Sequence, residues 1–120
     1  MELADEINKA IGAHAMWKQR LRQAIDSSGS EFTVERVRPD NLCDFGKWLY
    51  SFSITDQQST HWKTVKELHA KFHIEAARVL DLALKGKKQE AGKALNLGSD
   101  FAKASADLTT AMMKWKSATS

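Results

Sequence analysis

Apolar side chains recur at three- and four-residue steps through most of this chain. Leu3, Ile7, Ala10, Ile11, His14, Trp17, Leu21 and Ile25 form the first such stripe, predicting a helix from about Leu3 to Ile25 with one buried face. The turn residues Asp26-Ser27-Ser28-Gly29-Ser30 end it. Glu31 to Arg38 is the least regular segment. Phe32, Val34 and Val37 hint at an extended stretch across the end of a bundle, but no partner strand for a sheet occurs elsewhere. Pro39-Asp40-Asn41 leads into a short helix from about Asn41 to Phe52, with Asp40 or Asn41 as its cap. Leu42, Cys43, Gly46, Leu49 and Tyr50 share one of its faces. A polar turn over Thr55 to Thr60 follows, and Ser59 or Thr60 caps a third helix that runs to about Lys85. Its stripe is Trp62, Val65, Leu68 or His69, Phe72, Ala76, Val79 and Ala83.

Gly86 ends the third helix, and Lys87-Lys88-Gln89 opens a fourth that runs to about Trp115. Ala91, Ala94 or Leu95, Gly98, Phe101, Ser105, Leu108, Met112 and Trp115 face inward on it. Gly98 and Ser105 let another helix approach, within the bundle or from a second copy. Together with Trp115 they suggest a symmetric homodimer. The pattern as a whole predicts an all-α protein, an antiparallel four-helix bundle whose short second helix carries the cysteine, in a single domain over residues 1–120.

Composition narrows the class. One proline and six glycines in 120 residues favour long helices, and that length suffices for one core without staples. No apolar run approaches the roughly 20 residues of a membrane span, and no signal-peptide core is present. A net charge of +3 is mild. Its densest cluster, Lys85, Lys87 and Lys88, falls in an expected turn and comes with no nucleic-acid recognition motif. The lone Cys43 has no disulfide partner within the chain, which points to the cytoplasm.

The remaining chemistry sits on the apolar stripes. Cys43 reads either as an inert core residue or as a thiolate. Its place in the first turn of a helix, among unpaired N–H groups, favours an anion and predicts a lowered thiol pKa. His14 lies one turn before Trp17, as a hydrogen-bonded core histidine or a ligand. His69 and His73 are four residues apart on one helix face, a spacing that lets two imidazoles hold one metal ion. His61 stands two turns away at the helix start and reads as exposed. Three imidazoles and a thiolate from three helices make the set of four that tetrahedral zinc takes, with metal affinity expected to fall through about pH 6 to 7. Satisfied core residues are an equally good reading of the same spacing.

His14-Ala15-Met16-Trp17, then Cys43-Asp44-Phe45-Gly46-Lys47-Trp48, then His69-Ala70-Lys71-Phe72-His73 resembles the chemoreceptor zinc-binding (CZB) domain family in order and separation. The likeness extends over nearly the whole chain. It implies a helical bundle that holds zinc through three histidines and a cysteine, here His14, Cys43, His69 and His73. It also implies a non-enzymatic regulatory role in bacterial chemotaxis or cyclic-di-GMP signalling, with a chemoreceptor or a diguanylate cyclase as partner. The 120 residues carry neither a signalling coiled coil nor a cyclase domain, so a stand-alone domain and a part of a longer protein both fit.

Three rival chemistries can be weighed against this pattern. A di-iron bundle needs Glu-x-x-His pairs, of which there are none. A zinc hydrolase of the H-E-x-x-H kind needs a glutamate where Ala70 stands, and an open coordination position. A purely structural zinc in a protein-interaction module is the serious rival.

Overall fold

Three long helices set the frame of the computed structural model, which describes residues 3–27 and 29–119. They are α1 (Leu3–Ser27), α4 (Thr60–Leu84) and α6 (Asp100–Thr119), and each packs on the other two. Between them run the short helices α2 (Val34–Val37), α3 (Asp44–Tyr50) and α5 (Lys88–Leu95), and a 3-10 turn over Asp56–Gln58. No strand occurs among the described residues, and none of the helices is long and apolar enough to cross a membrane. The expected all-α bundle forms.

Contacts at the helix ends give the directions. Lys116 Nζ donates to Asn8 Oδ1 at 3.0 Å, and Arg78 lies 3.7 Å from Asp100, so α6 runs antiparallel to both α1 and α4. Helices α1 and α4 therefore share a direction. That is possible because residues 29–59 carry the chain back along the bundle. Phe32 packs on Trp17 in the last half of α1, and Trp48 and Phe52 each reach Trp115 near the end of α6 (5.8 Å between ring centres in both cases). The middle of this return segment passes His69 and His73, and that is where the cysteine stands.

The buried stripes follow the predicted spacing. Ile7, Ala10, His14, Trp17, Leu21 and Ile25 are buried on α1, and Trp62, Val65, His69, Phe72, Ala76, Val79 and Ala83 on α4. Helix α4 also buries Ala77 and Leu80, because neighbours cover it on several sides. Ser59 caps it by accepting from the Trp62 N–H, and a Schellman turn at Gly86 ends it, with Lys87 N–H donating to Leu82 O at 3.0 Å.

Three local expectations are corrected. The segment read as extended contains a turn of helix: Val37 N–H donates to Thr33 O, and Val37 is buried while Phe32 and Val34 are partly so. Alternation over so few residues does not distinguish a strand from one helical turn. The predicted fourth helix is two helices. Gly98, at φ +84°, sits in the exposed turn that divides α5 from α6, a left-handed conformation that side chains with a Cβ rarely adopt. It is thus not a helix-packing position within the bundle, and Trp115 is buried in this chain's own core. Around α3, Leu42 and Tyr50 are exposed against expectation, while Gly46 and Leu49 are buried as expected and Phe45 joins them.

Candidate metal centre

His14, Cys43, His69 and His73 converge at mid-bundle, with one nitrogen or sulfur from each lying within 4.8 Å of all the others. His69 Nε2 stands 3.1 Å from His14 Nε2 and 3.1 Å from His73 Nε2. Cys43 Sγ is 3.3 Å from His69 Nε2 and 3.5 Å from His73 Nε2. His61 is half-buried near the start of α4 and takes no part in the cluster.

Two of the three imidazoles are held from behind. His14 Nδ1 donates to Ala10 O at 2.7 Å, and His73 Nδ1 donates to Val37 O at 2.8 Å. A carbonyl only accepts, so the proton of each ring sits on Nδ1 and the lone pair of Nε2 points into the cluster. Backing of this kind fixes the tautomer and orientation of metal-binding imidazoles. His69 lacks it: its ring is fully buried and its Nδ1 has no hydrogen-bond partner among the described residues.

Cys43, expected within the first turn, stands instead at the N-cap of α3, and its sulfur accepts from the Gly46 N–H at 3.4 Å. Gly46 makes this placement possible. A Cβ there would fall on the carbonyl of Asp40, so the loop that delivers Cys43 can lie this close only against a glycine. The same loop is tied to the far end of α3, where Tyr50 donates to both carboxylate oxygens of Asp40 at 2.9 and 3.2 Å. Trp62 Nε1 donates to Leu49 O at 3.0 Å and joins α3 to α4.

Electrostatics corrects one expectation. The Cys43 thiol is pushed up from its ordinary pKa, because burial outweighs the N–H groups of Gly46 and Phe45, and the charges of Asp44 and Asp40 add to the rise. A helix of only seven residues offers too weak a field to reverse this. Burial lowers His14 to about 4 and His69 to about 2, with neighbouring histidines adding to the depression in both. His73 is also lowered by burial, against the opposing pull of the Val37 carbonyl and Asp40.

The donor set fits zinc. Bonds of about 2.0–2.1 Å to nitrogen and 2.3 Å to sulfur in a tetrahedron imply donor separations of about 3.3–3.6 Å. The close pairs here span 3.1–3.5 Å. A proton or a metal cation between facing lone pairs relieves their repulsion, and the mix of imidazole and thiolate is one that zinc accepts.

The protein-family comparison bears on the same residues. The model of the chemoreceptor zinc-binding domain, CZB, matches residues 14–80, more than half of the chain. The chain belongs to the CZB family. The match begins at His14 and spans the other three members of the cluster. No curated protein and no solved structure matches the chain. The CZB family is one of regulatory zinc-binding domains.

Sequence reasoning located all four clustered side chains but missed what holds them. The Ala10 carbonyl was within reach of inference, since it lies one helical turn before His14. The roles of Val37 O, Asp40 and Tyr50 had no signal in the sequence, because each depends on how the return segment folds across α4.

The lowered histidines predict an acid-sensitive apoprotein. Unfolded histidines take up protons near pH 6.5, whereas His14 and His69 in the folded chain stay neutral until about 4 and 2. Below pH 6.5 the unfolded state therefore binds more protons, and stability is lost as pH falls toward the folded values. The loss is about 1.4 kcal/mol per pH unit for each histidine that titrates only when unfolded. Denaturant melts of chelator-treated protein from pH 7.5 to 4.5 are expected to show a steep decline below pH 6.5. A flat profile refutes the burial of neutral imidazoles.

Proposed function

We propose that His14, Cys43, His69 and His73 hold one zinc ion, and that the domain is a regulatory module in which zinc occupancy and the state of Cys43 set the position of α3. The observation that carries this reading is the convergence of three backed or buried imidazoles and one sulfur, within 4.8 Å, from α1, α4 and the start of α3. Four protein donors fill a tetrahedral shell and leave no open position for a substrate, which favours sensing or structure over hydrolysis.

A switch is favoured over a purely structural zinc by the unequal burial of the donors. The three histidines are buried, whereas Cys43 is half-buried and lines an open cleft. Its helix is seven residues long and stands between two irregular segments, the kind of element that opens at low cost. An oxidant that converts the thiolate to a sulfenic acid removes the one donor that α3 supplies, and zinc withdrawal does the same without oxidation. Either input removes the metal tie between α3 and α4 and leaves the Trp62–Leu49 hydrogen bond and the buried Phe45 and Leu49 to hold the helix. The output is modulation of chemotaxis or cyclic-di-GMP signalling, through a chemoreceptor or a diguanylate cyclase. A single cysteine that must stay reduced suits the cytoplasm, and assembly as a homodimer would let two such sites act on one output.

Three measurements on purified protein test the reading. In buffered free zinc, a sensor exchanges metal within the physiological range, and a structural site keeps it throughout. Cys43 is expected to react faster with a thiol reagent after chelation, and peroxide or hypochlorite to release zinc. If none of the three occurs, the site is structural.

The raised thiol adds a prediction about protons. With the histidines already neutral at pH 7 and the Cys43 thiol still protonated, zinc binding is expected to release about one proton per ion, from the sulfur. Affinity then rises about tenfold per pH unit near neutrality, rather than switching on between pH 6 and 7 through the histidines. Titration with zinc in weakly buffered indicator solution counts the protons. Proton release near zero at pH 7 means that the thiolate already exists in the apoprotein.

A further inference from the structure

A cleft of about 410 Å³ opens beside the cluster and has Cys43, His14 and His73 at its floor. His69 does not line it. Of the donors, half-buried Cys43 is the one open to this cleft; His14 and His73 line it but are buried, and His69 is buried outside its lining. One wall is α1, which contributes Lys9, Ala13 and Arg20, and the opposite wall is α2, which contributes Arg36. The acids Glu6 and Asp44 also face the cleft. Arg20 is held in place, its guanidinium lying 5.1 Å from the Trp17 ring centre and 5.2 Å from that of Phe32. Lys9 and Arg36 are exposed and form no ion pair among the described residues.

The volume is at the small end of ligand pockets, which span about 300–1,000 Å³, and is suited to a molecule the size of one or two amino acids. A divalent ion held by three neutral imidazoles and one thiolate leaves a net positive charge at the floor. Three cations against two acids line the cleft, and two of the cations form no ion pair among the described residues. A negatively charged visitor is favoured at both ends of the cleft.

Building on the zinc reading above, we propose that this cleft is the docking site of a small anionic chelator with carboxylate or thiolate donors, which takes metal from the centre or delivers it there. In withdrawal, each donor of the chelator replaces one donor of the protein, so lone pairs balance throughout. The sulfur of Cys43, once released, takes a proton from solvent, and no electron changes hands. Metal then moves by direct handover, with no need for the bundle to open.

The test uses full-length protein loaded with cobalt(II), whose thiolate absorption reports the intact centre. Ethylenediaminetetraacetate serves as the anionic chelator and triethylenetetramine, cationic at pH 7, as its counterpart. With the anionic chelator, loss of absorption is expected to be first order in chelator and to slow as salt is added. Lys9→Glu with Arg36→Glu is expected to slow that reaction about tenfold while leaving the cationic chelator unslowed. Ala13→Phe, at an exposed position on the cleft wall, is expected to slow the anionic chelator by obstruction without any change of charge. Rates independent of chelator concentration, or equal slowing of both chelators by the charge reversal, overturn the proposal and leave the metal centre standing. A protein that takes up no cobalt and develops no thiolate absorption overturns the metal reading, and this proposal with it.

Discussion

Replacing His69 with leucine is expected to take bound zinc from about one ion per chain to almost none, while making the apoprotein more stable. His69 is the donor common to most of the short contacts, lying 3.1 Å from each of the other two imidazoles and 3.3 Å from Cys43 Sγ. Among the described residues no further His, Cys, Asp or Glu joins the cluster. In the absence of metal the same ring is a burden. It is fully buried, its Nδ1 has no partner among the described residues, and an unsatisfied buried polar group costs about 1–3 kcal/mol. Leucine is of similar size and carries no polar atom, so apoprotein stability should rise by about 1 kcal/mol. The acid side supplies a second check. His69 stays neutral in the folded chain down to about 2, so its removal cuts the loss of stability below pH 6.5 by about 1.4 kcal/mol per pH unit. Elemental analysis and chelator-treated denaturant melts measure the two effects. A variant that still binds stoichiometric zinc refutes the ligand assignment. One that loses zinc but is also markedly less stable as apoprotein shows that His69 has a packing role as well.

Gly46→Ala is the second large effect, at a residue that donates no ligand atom. The added methyl would fall on the Asp40 carbonyl, and backbone on backbone leaves no flexible side chain to yield. Either α3 moves away from the loop or the loop moves away from α3. In both cases the Cys43 sulfur leaves the Gly46 N–H and loses its position against His69 and His73. Overpacking of this kind costs about 1–3 kcal/mol, and zinc affinity is expected to fall about tenfold or more as the thiolate is displaced. The metal that still binds would do so through the histidines. Cobalt loading separates the two contributions: thiolate absorption should weaken while some cobalt remains bound. Full thiolate absorption with parental affinity means that the loop can move without disturbing the sulfur.

These two positions differ in how far the sequence alone reveals them. His69 could be read from periodicity, because it lies on the stripe with Val65, Phe72 and Ala76, and a histidine with another four residues on invites a chemical reading. Gly46 could be recognised as a site of close approach, but not what approaches. The Asp40 carbonyl reaches it only because Pro39 to Asn41 folds back over the start of α3.

The sequence by itself determined the helices that repeat long enough to display a period. The long stripes on α1 and α4 leave no ambiguity of face, and burial follows each stripe because one side of an amphipathic helix must leave water. It also singled out the four side chains that the fold brings into one cluster, since their motifs are local. Tertiary structure decided the rest. The direction shared by α1 and α4, the single turn at Val34–Val37, and the division of α5 from α6 depend on the path of the chain between long helices. Cys43 shows the same limit in its chemistry. Its place at a helix start was legible, and the sign of its pKa shift was not. A helix start favours the thiolate through N–H groups that the sequence implies. Burial opposes it through neighbours from distant parts of the chain, and here burial prevails.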